Sequence, residues 1–187
     1  IDSGANCPMV ETALVWFRRD LRLHDNETLR YALADADRIV PLYCFDTRVF
    51  GGRSRWLDRP RTGPIRARFV RESVAALRDE LDERGGSLLV TRGDPRQVVP
   101  EVADAVDASV VHCQTLPGTE EHETERRVQT GLEGRGIDLV RHWTHTLYPV
   151  EALPMSINEV QDTFTPWKDA VEDRASVPDA RPAPESI

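Results

Sequence analysis

The sequence predicts an α/β domain: a doubly wound, five-stranded parallel sheet with helices on both faces, of the Rossmann-like or flavodoxin-like kind. Three observations point to it. Short apolar runs alternate with longer segments whose apolar residues recur at three- and four-residue spacing. The short runs are apolar throughout instead of alternating with polar residues, as in strands covered on both faces. Each run ends in a turn of charged or small residues, which places the working edge of such a sheet at the carboxyl ends of its strands.

The first strand is Ala13-Leu14-Val15-Trp16-Phe17, which switches in one step to Arg18-Arg19-Asp20. Glu27 to Ala34 carries Leu29 and Leu33 four residues apart and reads as a short helix with Asp25 or Asn26 as its N-cap. Arg38 to Phe45 is the second strand, ending at Asp46. Pro41 has no N–H for a ladder, so it requires a bulge or an unpaired flank. Residues 46–63, rich in Arg, Gly and Pro, have no period and read as a long functional loop. From Pro64 to Arg84 an amphipathic helix is predicted on Phe69, Val70, Val74, Leu77 and Leu81, stopped by Gly85-Gly86.

Leu88 to Thr91 is the third strand, and Gly93-Asp94-Pro95 turns into a helix on Val98, Val99, Val102 and Val106. Val110 to Cys113 is the fourth strand. Its loop, Gln114 to Gly118, leads into a polar helix from Thr119 to Leu132, and Ile137 to His142 is the fifth strand. A short helix around Pro166 to Glu172 follows. The expected boundaries are a disordered tail or cloning remnant at 1–11, one domain at 12–172, and a proline-rich linker at 173–187.

A length of 187 residues suits one well-buried domain. The formal net charge of −8 excludes a general nucleic-acid-binding surface, which needs a basic footprint. Lys168 is the single lysine among 24 basic residues, a composition open to two readings: a salt-adapted proteome or a mildly acidic cytosolic protein. Cys7, Cys44 and Cys113 are scattered, as reduced intracellular thiols are, so neither a disulfide framework nor a metal site is expected. No apolar run approaches the ~20 residues that span a bilayer. Neither a membrane span nor a signal peptide is expected, and the expected location is cytoplasmic.

Few chemical motifs stand out. There is no G-x-G-x-x-G after the first strand and no Walker loop, so a standard dinucleotide or phosphate cradle is unsupported. The five histidines lack metal-ligand spacing and read as surface or capping residues, and Ser73 and Ser87 stand in no nucleophile elbow. What remains is Arg18-Arg19-Asp20-Leu21-Arg22 with His24-Asp25-Asn26. On physics alone its charges pair with one another and close the turn, with an anion-binding or cofactor-binding edge as the alternative.

The stretch W-F-R-R-D-L-R-L-H-D-N at Trp16 to Asn26 resembles the N-terminal signature of the photolyase/cryptochrome family. The resemblance continues through P-L-Y-C-F-D at 41–46, T-G-P-I-R-A-R-F at 62–69, G-D-P at 93–95 and F-T-P-W-K-D-A-V-E at 164–172, and is strongest to cryptochrome DASH. It implies an N-terminal α/β domain that holds an antenna chromophore, methenyltetrahydrofolate or a deazaflavin. A larger helical domain, outside this chain, would carry FAD and contact DNA. Such a domain would harvest light for a deoxyribodipyrimidine photo-lyase or a blue-light sensor and would be inactive in repair without the FAD domain. The antenna-contacting positions implied are Tyr43, Cys44, Asp46, Arg66, Gln114, Thr115 and Leu116. Thr115 departs from the acidic residue that many relatives carry there, which leaves an altered or empty site open. Arg18, Arg19, Asp20 and Arg22 are expected to hold the sheet edge or face the helical domain. Trp16 reads as a core residue, whereas Trp56 and Trp167 are expected to be exposed where that domain would cover them. A different function class remains open: a stand-alone α/β ligand-binding or interaction module that docks to a separate flavin domain.

Overall fold

The computed structural model describes residues 10–54, 58–160 and 163–187. Its five strands are β1 (Val10–Phe17), β2 (Ala36–Asp46), β3 (Leu89–Gly93), β4 (Val110–Gln114) and β5 (Asp138–His142). They form one all-parallel sheet in the order β3-β2-β1-β4-β5. That is the Rossmann order and not the 2-1-3-4-5 order of flavodoxin, which decides between the two alternatives. The winding reverses between β1 and β4, and this switch point is where a doubly wound sheet opens a crevice beyond its strand ends.

The pleat of β1 sorts the core. Leu14 and Trp16 face one side with Val111 and Cys113 of β4, under Val99 and Ala103 of α4 (Pro95–Ala105) and Val128 and Leu132 of α5 (Thr119–Glu133). Val15 and Phe17 face the other side, under Leu29 and Ala32 of α1 (Glu27–Asp35) and Val74, Leu77 and Leu81 of α3 (Pro64–Asp82). Each face thus buries an aliphatic layer against two helices, as parallel crossovers require. The Asn26 side chain caps α1 by accepting from Leu29 N at 3.0 Å, and Gly85 (φ 83°) and Gly136 (φ 72°) supply the left-handed turns after α3 and α5.

Several boundaries differ from expectation. Val10 and Glu11 belong to β1, with Val10 paired to Ala36, so the strand takes in the end of the expected tail; residues 1–9 lie outside the described residues. Pro41 is tolerated because β3 joins β2 only from Leu42 onward, so the strand has an open flank there. The loop after β2 is not wholly irregular. It opens with a one-turn helix, α2 (Thr47–Phe50), capped by Asp46, whose carboxylate accepts from Arg48 N at 2.8 Å. One turn is too short to show a helical period, so α2 is not legible from residue spacing.

The last helix, α6 (Phe164–Arg174), buries Val171. Beyond it the chain is extended and lies along the α1/α3 face. Arg181 O accepts from Asp25 N at 2.8 Å, Ile187 N donates to Arg84 O at 3.1 Å, and Ala183 and Ile187 pack on the core.

Candidate functional site

The carboxyl ends of β1 and β2, the starts of α2, α3 and α4, and the first turn of α5 surround a cleft of about 470 Å³ beside the switch point. This is within the usual size of a small-molecule site. Its walls are partly aromatic, from Trp16, Phe17, Tyr43, Phe50 and Phe69. Of the residues expected to touch an antenna, Tyr43, Cys44, Asp46, Arg66 and Leu116 line it.

Gln114 and Thr115 do not. Gln114 is buried, donating from its side chain to Thr144 Oγ1 at 2.6 Å and accepting through its backbone oxygen from Arg18 at 2.9 Å. Thr115 donates its hydroxyl to Glu125 Oε2 at 2.8 Å. Glu125 of α5 is 1% exposed, also pairs with Arg18 and accepts from Leu116 N at 3.1 Å, and it does not line the cleft. Arg141 stands 3.6 Å from the same carboxylate. Glu125 fixes the β4–α5 loop and, through it, the cleft wall at Leu116. Its sequence signal is its place on the apolar stripe of α5, three residues before Val128 and seven before Leu132.

Of the arginines after β1, Arg22 pairs within the turn, 3.7 Å from the Asp25 carboxylate, whereas Arg18 and Arg19 reach out of it. Arg18 reaches Glu125 and lies 4.8 Å over the Trp16 ring, and Arg19 reaches Glu121 at 2.7 Å, so both tie β1 to α5. Arg22 binds the backbone oxygens of His24 and Asp25, at 3.2 and 2.9 Å, and shapes the turn locally. Asp20 is 2% exposed; Oδ1 accepts from Arg18 N at 2.9 Å, and burial pushes its carboxyl above the usual carboxylate range.

Inside the cleft, Tyr43 is held neutral: burial pushes its phenol up to about 12 against the opposing pull of Arg66. Burial likewise raises the Cys44 thiol, whose Sγ lies 3.8 Å from Gly93 O. Asp46 is engaged by Arg48 at 2.6 Å, and Arg48 also approaches Asp94 at 3.5 Å and donates to Thr124 at 3.1 Å. Arg61 is bound to Glu120. Among the described residues, Arg66 is the one arginine of the cleft that makes no ion pair. The sequence singled out Arg66 but missed Arg48, Arg61, Glu120 and Glu121, because their roles depend on α2 and α5 meeting across the sheet edge.

The histidines differ from their surface or capping reading in one place. His112 on β4 is 2% exposed; its Nδ1 lies 3.0 Å from His142 Nε2 and its Nε2 lies 3.2 Å from Asp35 Oδ2. Tyr31 stacks on His142 with ring centroids 4.9 Å apart. Trp167 is half-buried instead of exposed, and Trp56 lies outside the described residues. The large exposed apolar side chains near the cleft are instead Ile65 and Phe69 of α3. Among the described residues no group of three or more His, Cys, Asp or Glu side chains is placed to hold a metal ion, and no helix is long and apolar enough to cross a membrane.

Sheet order and a switch-point cleft with aromatic walls define a doubly wound α/β domain. The comparisons with known proteins are specific about which. The profile described as DNA photolyase matches residues 13–185, and the chain belongs to that family. Cryptochrome DASH of Natronomonas pharaonis is 45% identical over 178 residues, 95% of this chain and 37% of the relative. Blue-light photoreceptor PHR2 of Arabidopsis thaliana is 36% identical, over 92% of this chain and 38% of the relative. The crystal structure of a Synechocystis sp. PCC6803 cryptochrome superposes with a TM-score of 0.89 at 36% identity, covering 96% of this chain and 37% of that one. The Sulfolobus tokodaii photolyase shares the fold, with a TM-score of 0.78 at 23% identity over 94% of this chain and 37% of that one. The chain therefore spans little more than a third of the length of these relatives.

Proposed function

We propose that this chain is the light-harvesting domain of a cryptochrome DASH-type photolyase, and that its cleft holds an antenna chromophore, methenyltetrahydrofolate or a deazaflavin. When bound, that group absorbs near-ultraviolet or blue light. The partner is a helical FAD-binding domain, in the same polypeptide or supplied separately. That domain receives the excitation and makes the DNA contacts, in the cytoplasm.

One observation carries this reading: a ligand-sized cleft at the switch point combines flat aromatic walls with a single uncommitted guanidinium, Arg66. The residues present suit such a group. Phe50, Phe69 and Tyr43 offer apolar and aromatic surface to a planar ring, and Arg66 offers a planar fork of donors to an acidic or carbonyl edge. Neutral Tyr43 and Cys44 add weak polar contacts without charge. Leu116, held by Glu125, closes one side and excludes water. The Sulfolobus tokodaii photolyase, which shares the fold, is described as holding two FAD molecules, with the implication of a novel light-harvesting cofactor.

Incubating the chain with methenyltetrahydrofolate or a deazaflavin, followed by desalting, tests the proposal. A near-ultraviolet or visible band retained in about equimolar amount and released on denaturation is expected. Protein from which every chromophore washes free, leaving only tryptophan and tyrosine absorption, would refute it.

A further inference from the structure

We infer that Asp46, which the family resemblance casts as a chromophore contact, is a positioning residue instead: with Arg48 it locks the single turn of α2 so that Phe50 stands as a wall of the cleft. The inference rests on the antenna reading and assigns roles within that site.

The Asp46 carboxylate is already engaged on both oxygens. Oδ1 accepts from Arg48 N at 2.8 Å and from Arg48 Nε at 3.0 Å, and Oδ2 accepts from Arg48 Nη2 at 2.6 Å. Nε and Nη2 form a two-pronged charged contact, the strong geometry for a guanidinium on a carboxylate, and a ligand's ring N–H is a weaker competitor for the same oxygens. The guanidinium also reaches beyond its own turn. Nε stands 3.5 Å from Oδ1 of Asp94, the residue that caps α4, and Nη2 donates to Thr124 Oγ1 of α5 at 3.1 Å. Arg48 thus joins the end of β2 to α4 and α5.

What the clamp holds is a wall. A lone helical turn has no stability of its own, because fixing its dihedrals costs more than one hydrogen bond returns. α2 carries Val49 and Phe50, both of which line the cleft. The Phe50 ring meets Phe45 edge-on with centroids 5.3 Å apart, and Phe45 meets Tyr43 in the same manner at 4.9 Å, so the end of β2 and α2 share one aromatic ladder. Without Arg48, the carboxylates of Asp46 and Asp94 lose the cation between them, and the turn that presents Phe50 loses its tie to α4 and α5.

The test is a double-mutant cycle on affinity, by equilibrium titration of the chain with methenyltetrahydrofolate or a deazaflavin, whichever the wild type retains. Asp46→Asn keeps an oxygen for the cap but loses the ion pair, and Arg48→Met keeps the aliphatic stem without the charge. Each is expected to weaken binding by about tenfold, with the double variant no more than about twofold weaker than Arg48→Met alone. In a Phe50→Ala background, Arg48→Met is expected to add less than about threefold, since the wall it holds is gone. The absorption maximum of the bound chromophore is expected to stay at the wild-type wavelength in Asp46→Asn, because no acceptor is lost from its ring. Three results would each overturn the inference and leave the antenna reading standing: a double-variant loss equal to the product of the single losses, a displaced maximum in Asp46→Asn, or wild-type affinity in Arg48→Met. A wild type that retains neither chromophore refutes the antenna reading itself, and the inference falls with it.

Discussion

Glu125 is the side chain on which the switch-point edge depends. A buried carboxylate is tolerable only when its oxygens are fully used, and here Arg18, the Thr115 hydroxyl and Leu116 N use them. Replacing it by alanine leaves the Arg18 guanidinium buried without its charge partner. Glu125→Ala is expected to lower the unfolding free energy by about 3–5 kcal/mol in urea titrations, and a loss under 1 kcal/mol would contradict this ion-pair account. The His112–His142 pair gives a second residue-level expectation. Burial lowers both imidazoles from the ordinary 6.5, His142 to about 4, so the folded state keeps them neutral. Stability from this source is complete above the ordinary value and is lost as pH falls from 6.5 toward 4, because the unfolded chain takes up protons first. Melting at pH 7.5 and pH 5 is expected to show a loss on the order of 1–2 kcal/mol to which the pair contributes. In His142→Phe, which keeps a ring against Tyr31, that loss shrinks. An acid loss of the same size in the variant would assign the effect to other groups.

At the level of elements, legibility followed the length of the repeating pattern. Strands β1, β2 and β4 and helices α1, α3 and α4 could be placed from apolar runs and helical spacing, because burial against the sheet leaves a periodic trace in the residues. The residues chosen for the buried side of α3, Val74, Leu77 and Leu81, are buried. Phe69, assigned to the same stripe, is 68% exposed and lines the cleft, since the helix overhangs the sheet edge at its start. Leu77→Ala is accordingly expected to cost about 2–5 kcal/mol of stability, whereas Phe69→Ala should cost little stability and chiefly affect ligand uptake. A Phe69→Ala protein as destabilised as Leu77→Ala would show that α3 is seated differently. α2 left no trace because one turn has no period, and the ties between Arg19 and Glu121 or Arg61 and Glu120 link residues about a hundred and about sixty positions apart. Such pairs become visible only once the strand order is known.

For the whole molecule, the order β3-β2-β1-β4-β5 converts a linear chain into a site. It brings the ends of β1 and β2 and the starts of α2, α3, α4 and α5 to one edge, and the cleft opens there because the winding reverses. The fold class could be read from alternating patterns, and the family from the block at Trp16 to Asn26. The site could be read only in part. Tyr43, Cys44, Asp46, Arg66 and Leu116 reach the cleft, while Gln114 and Thr115 turn inward to support it. The direction of a side chain after a strand end depends on the loop's hydrogen bonds, and Glu125 sets those from another helix. The most direct test of an antenna cleft centred on Arg66 is an equilibrium titration of the chain with the retained chromophore, comparing wild type, Arg66→Ala and Arg78→Ala, the last an exposed arginine of α3 away from the cleft. Arg66→Ala is expected to bind about tenfold more weakly, the loss of one charged hydrogen bond, with Arg78→Ala equal to wild type. Equal affinity for all three proteins would place the chromophore somewhere other than this cleft.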